Sequence, residues 1–88
     1  MLITKDYMVQ LLAMQGYKQV SEHNGTPTME KHLDTSYVSI NCHEGFICYY
    51  LDNKFSMTMY YSDIVKVEYS HIGLEFTVGN EHSTILIK

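Results

Sequence analysis

The residues with the widest chemical reach in this chain are five histidines and two cysteines. Cys42 and Cys48, with His43 beside the first, invite a zinc reading, and the Cys–His neighbours invite a nucleophilic one. A structural zinc needs about four converging nitrogen or sulfur ligands, usually with a closely spaced pair among them. The spacing offers none: His23, His43, His71 and His82 fall in or beside turn signals, and His32 follows a weakly patterned strand. Adjacent strand residues point to opposite faces, which separates the thiol of Cys42 from the imidazole of His43. Glu44, Asp52, Asp63 and Glu81 lie at separate reversals and form no carboxylate pair. Gly16, Gly25, Gly45, Gly73 and Gly79 are isolated, each at an expected turn, so no phosphate-cradling loop exists. The expectation is a non-enzymatic chain without cofactor, with a small-ligand or metal-binding domain as the alternative.

Charge narrows the partners. Six lysines, no arginine and ten acidic residues give a formal net charge of −4. Arginine is the preferred residue for bidentate phosphate and base-edge contacts, and the lysines form no run. Nucleic acid and anionic membrane surfaces are therefore not expected as partners. A stacking-type single-strand binder using tyrosines stays open as a lesser alternative. No apolar run approaches the roughly 18 residues that span a bilayer, and MLITKDYMVQ lacks a signal peptide's apolar segment. Two cysteines are too few for a secreted disulfide framework, so the expected location is the cytoplasm.

Eighty-eight residues make one domain, 1–88. Thr4 can cap a helix over about residues 4–15, with Tyr7, Met8, Leu11 and Leu12 as its apolar stripe. Gly16 is the expected stop. Residues 17–33 read as a weak hairpin around Asn24-Gly25, either an exposed edge or a cover for one sheet face.

Residues 37–88 alternate as an antiparallel meander. A three-residue loop His43–Gly45 opposes Cys42 to Phe46, Ile40 to Cys48 and Val38 to Tyr50. A two-residue loop Asp52-Asn53 opposes Tyr50 to Phe55, Cys48 to Met57 and Phe46 to Met59. Beyond a polar corner at Ser62-Asp63, Tyr69 opposes Leu74, Val67 opposes Phe76 and Val65 opposes Val78. Ile85 and Ile87 then join the face of Leu74 and Phe76. Both cysteines belong to this apolar face, and Met8, Met57 and Met59 fill gaps where helix meets sheet. The fold class is α+β: a short N-terminal helix packed on one face of a curved antiparallel sheet of about five to seven strands.

The opposite face receives Tyr37, Ile47, Tyr49, Leu51 and Tyr60, set among Ser39, Asn41, Ser56 and Thr58. Tyrosine combines large area, few rotors and a polar tip, the chemistry enriched in binding surfaces. These five residues are the candidate partner-binding set, for a protein partner or a second copy in a homodimer. The alternative is that the hairpin 17–33 covers them, or that tyrosine merely suits a solvated strand.

Residues 46–78 resemble the middle strands of bacterial pleckstrin-homology-like and GRAM-like domains. The resemblance rests on ICYYLDNKFSMTMYYSDIVKVEY, its corner Tyr61-Ser62-Asp63-Ile64-Val65-Lys66-Val67, and the strand Gly73-Leu74-Glu75-Phe76. The closing C-terminal helix and basic lipid-binding loop of such domains have no counterpart here. What the resemblance implies is a curved sheet used as a docking scaffold. In style, a tiny tyrosine-rich, arginine-free acidic domain is similar to the accessory proteins of phages and mobile elements that bind and modulate a host protein.

Overall fold

The structure, a computed structural model, describes residues 2–88. Helix α1 spans Lys5–Met14. Its N-cap is Thr4, whose Oγ1 accepts the N–H of Tyr7 at 3.1 Å. Met8, Leu11 and Leu12 are buried, the one-sided spacing the sequence predicts. The helix ends at Gly16, whose φ of +102° is left-handed. The N–H of Tyr17 bonds to Leu12 O and that of Gly16 to Ala13 O, a Schellman ending that satisfies two orphan carbonyls. A third, Gln15 O, takes the ammonium of Lys31 at 2.7 Å, a cation placed where the helix dipole is negative.

Eight strands follow: β1 Lys18–His23, β2 Thr26–His32, β3 Tyr37–Cys42, β4 Phe46–Leu51, β5 Lys54–Tyr60, β6 Ile64–Ser70, β7 Gly73–Val78 and β8 Ser83–Ile87. All pairings are antiparallel between sequence neighbours. The expected helix-plus-antiparallel-sheet class is what forms. The meander, however, divides into a five-stranded sheet, β1 to β5, and a three-stranded sheet, β6 to β8.

The division has a geometric reason. Helix α1 is about 15 Å long and roughly 10 Å wide, whereas five strands span about 19 Å. The helix alone cannot cover the inner face of that sheet. Tyr61–Asp63 forms a single 3₁₀ turn with Tyr61 buried, and this carries the chain across the core instead of back along β5. The three-stranded sheet then supplies the remaining cover. One cluster joins Met8 and Leu12 of α1 to Val38, Ile40 and Ile47 of the larger sheet and to Leu74, Phe76 and Ile87 of the smaller.

The hairpin β1–β2 turns at Asn24-Gly25, both with positive φ as a type I′ turn requires. It pairs with β3 and widens the sheet, so it does not fold over the outer face. Strand β1 is exposed along its whole length and is an edge. In the smaller sheet, Tyr69 opposes Leu74 and Val67 opposes Phe76 as expected. The pairing expected of Val65 with Val78 is made by Ile64 instead, because the register shifts between Ile64 and Lys66 and leaves Val65 as the extra residue. Ile85 and Ile87 face Phe76 and Leu74.

Gly73 opens β7 with φ +150°, and a β-carbon there would stand 2.6 Å from the carbonyl oxygen of Ile87. That oxygen belongs to the strand backbone and cannot move aside. Gly73→Ala is expected to destabilise the fold by about 3 kcal/mol, read as a lowered midpoint in urea unfolding with unchanged slope.

Candidate interaction surface

Strand β4 decides which side chains the larger sheet shows to solvent. The loop before it is longer than its residues suggest. Gly45 does not adopt the left-handed conformation of a three-residue loop, being absent from the positive-φ glycines. Instead, the N–H of His43 bonds to Phe46 O at 2.9 Å, and Cys42 opposes Ile47. Tyr61 holds this loop from below: its N–H bonds to Gly45 O at 3.0 Å and its hydroxyl donates to His43 O at 2.6 Å. Burial pushes the Tyr61 phenol well above its ordinary range, so it remains a donor.

The extra loop residue rotates β4 by one position relative to the expected register, and a one-residue slip exchanges the two faces of a strand. Ile47 is therefore fully buried, and Tyr49 is half-buried against the core, so neither lies on the outer face. Leu51 opposes Val38 on the core side, at the exposed end of its strand. Cys48, expected in the core, faces outward, with its Sγ 3.8 Å from Thr58 Oγ1. The Asp52-Asn53 turn forms as expected, with both φ positive and Tyr50 opposite Phe55. A register shift between Tyr49 and Tyr50 makes Ser56 the extra residue of β5 and restores Met57 and Met59 to the core side.

Of the five candidates, Tyr37 and Tyr60 stand on the outer face as expected. Phe46, Tyr50 and Phe55 replace Ile47, Tyr49 and Leu51 there. The rings group in two bands. At one end of the sheet Tyr50 meets Phe55 edge-on at 5.7 Å, with Tyr37 beyond them tilted against His32 at 4.8 Å. At the other end Phe46 packs between His43, stacked at 4.6 Å, and Tyr60 at 5.5 Å. Tyr50 and Phe46 are four residues apart along β4, so the bands lie about 13 Å apart. Between them runs a floor of small polar groups: Thr28, Asn41, Cys48 and Thr58 in successive strands. Thr28 donates to Asn41 Oδ1 at 2.8 Å.

Phe55 is 60% exposed and Tyr60 52%. The buried side of α1 packs into the core cluster on the opposite side of the sheet, so the outer face has no covering element among the described residues. Charges are sparse on it. The Glu30 carboxylate beside Tyr37 holds that phenol above its ordinary range. Lys18, opposite Glu30, is the cation in the same row. Among the described residues no group of three or more His, Cys, Asp or Glu side chains is gathered closely enough to hold a metal. No helix among them is long and apolar enough to cross a membrane.

Comparison with models of known protein families, with curated proteins and with solved structures finds no match. The function must be read from the surface itself.

The register has two direct consequences. Cys42 is fully buried, and burial pushes its thiol up to about 12, while Cys48 opens to the outer face. A thiol reagent should label Cys48 in the native protein and reach Cys42 at least about 100-fold more slowly, as mass mapping would show. Equal protection of both would restore the unslipped register. Likewise, Tyr49→Ser should cost about 2 kcal/mol of stability through lost burial, and Tyr60→Ser less than about 0.5 kcal/mol, compared by denaturant midpoints.

Proposed function

We propose that this protein is a small non-enzymatic interaction module, of the kind phages and mobile elements use to bind and modulate a host protein. Its partner seats on the outer face of the five-stranded sheet. The observation that carries the reading is the pair of aromatic bands, Tyr37–Tyr50–Phe55 and Phe46–Tyr60, in which Phe55 and Tyr60 are exposed and the other rings half-buried, on a sheet face with no cover among the described residues.

The physics favours a protein over other ligands. Rings held by strands lose little rotamer entropy on docking, and aromatic residues with few charges are the composition of interface centres. Nucleic acid would meet a chain of net charge −4 with no arginine. The margins add a preference. Asp34 and Asp52 flank the Tyr37 end, and Asp52 is fixed there by accepting the N–H of Tyr37 at 2.9 Å. At the other end, Glu44 is already paired with Lys5 at 2.8 Å, so the acidic preference rests on the Tyr37 end. A folded partner with an apolar centre and lysines or arginines toward that end fits this arrangement. The cytoplasm suits the two free thiols. From the pleckstrin-homology-like resemblance, this reading takes only the use of a curved sheet as a docking scaffold.

The test compares immobilised wild-type chain with Phe55→Ser/Tyr60→Ser. Both side chains are exposed, so circular dichroism and unfolding midpoint should be unchanged. A host protein retained by wild type should bind the double variant at least about 30-fold more weakly, the effect of losing one central aromatic contact. Retention of the same proteins with equal affinity would sink the proposal.

A further inference from the structure

The two sheets expose four edges, β1, β5, β6 and β8, and three of them are blunted. Strand β1 is irregular at Val20 and carries Lys18 and Glu22. Strand β5 bulges at Ser56 and begins with Lys54. Strand β6 bulges at Val65 and bears an exposed Lys66–Glu68 ion pair at 2.7 Å. Bulges and edge charges are the means by which sheets resist pairing with further strands.

Strand β8 has none of these. Ser83–Ile87 pairs with β7 in unbroken register, contains no charge and no proline, and is rich in β-branched residues. Its other side has no backbone partner among the described residues. The strand is also held in place: Gln15 Nε2 and Lys31 Nζ both donate to Lys88 O just beyond it.

We infer that β8 is a second interaction surface and that its occupant is a second copy of this chain, paired antiparallel across a two-fold axis at Ile85. The segment is self-complementary in that register. Ile85 meets Ile85, Thr84 meets Leu86 and Ser83 meets Ile87, with residues of matching face opposed and no like charges in contact. The flanking pair, His82 with Lys88, lies beyond the strand ends. The two three-stranded sheets become one continuous six-stranded sheet, and the dimer leaves the aromatic outer faces of the larger sheets free. The surface is therefore separate from the one proposed above.

Sedimentation velocity over a concentration series tests it. Wild type should approach twice the chain mass as concentration rises. Thr84→Lys/Leu86→Lys places lysine opposite lysine twice and should weaken dimerisation at least about tenfold. Thr84→Glu/Leu86→Lys places glutamate opposite lysine twice and should dimerise like wild type. In that variant the introduced lysine also faces Glu75, the partner of Leu86 within each chain. Circular dichroism checks that both variants fold. A wild-type chain of single mass at every concentration overturns the inference, including the case in which β8 receives a strand of another protein. So does a dimer indifferent to the lysine pair. Loss of the dimer on Phe55→Ser/Tyr60→Ser would assign it to the aromatic face instead.

Discussion

The hydroxyl of Tyr61 donating to His43 O is the interaction on which most of this architecture turns. Tyr61 lies where the chain leaves the five-stranded sheet for the three-stranded one, and its ring is buried. Its N–H and O–H together engage Gly45 O and His43 O, the carbonyls of the loop that begins β4. A buried phenol without such an acceptor would lose about 1–3 kcal/mol in desolvation, so the loop is held in the one geometry that supplies it. That geometry sets the register of β4, and the register decides which rings are core and which are surface. One residue thus joins the two sheets and selects the composition of the exposed face. The buried hydroxyl of Tyr17 offers a contrast, since it has no hydrogen-bond partner among the described residues.

Covering the inner face is the second constraint. A domain this short buries a modest share of its chain, so each element has to contribute apolar area. The helix gives three buried residues and a Schellman-capped exit; the smaller sheet gives Leu74, Phe76 and Ile87. The result leaves the larger sheet one dry face and one wet face. Antiparallel sheets tolerate that asymmetry, whereas the exposed side then has to be explained by solvent-compatible chemistry or by a partner. Two hydroxyls, one amide and a thiol account for the central row, Thr28, Asn41, Cys48 and Thr58. They do not account for Phe46 and Phe55, which lack a polar tip to hydrate.

Legibility follows the locality of the signal. The N-cap Thr4, the stop at Gly16 and the turns at Asn24-Gly25 and Asp52-Asn53 depend on one or two residues, and each forms as its chemistry requires. The inward faces of β3, β7 and β8 follow from plain alternation. Strand β4 defeats alternation because Phe46-Ile47-Cys48-Tyr49-Tyr50 is apolar on both faces, so either register buries a plausible set. The deciding contact comes from Tyr61, beyond the end of β5, and no local pattern announces it. A second irregularity conceals the first. The added residue in the His43–Phe46 loop and the bulge at Ser56 cancel in parity, so β3 and the part of β5 from Met57 onward keep their expected faces, while β4 turns over and takes Phe55, before the bulge, with it. Agreement between two turns is therefore weak support for the register of the strand they enclose. The same mechanism displaces Val65, where a bulge puts Ile64 in the core.

Bulges also link the edges to the surface. At Ser56 the extra residue interrupts the free side of β5, which discourages another strand from adding there, and it turns Phe55 outward beside Tyr50. Edge protection and the aromatic band therefore arise from a single irregularity. At Val65 the interruption blunts β6 in the same way. Such devices weaken the ladder locally, so their presence on three edges argues that unwanted pairing is a real hazard for sheets this small. Against that background the regular ladder of β8 is informative as an exception. Its core-side residues Ile85 and Ile87 bury against Phe76 and Leu74, and a bulge would move one of them out of the core, as it does Val65. The strand that the core most needs in register is the one left open to a neighbour, and this ties the proposed self-pairing to the same packing requirement that shapes the rest of the chain.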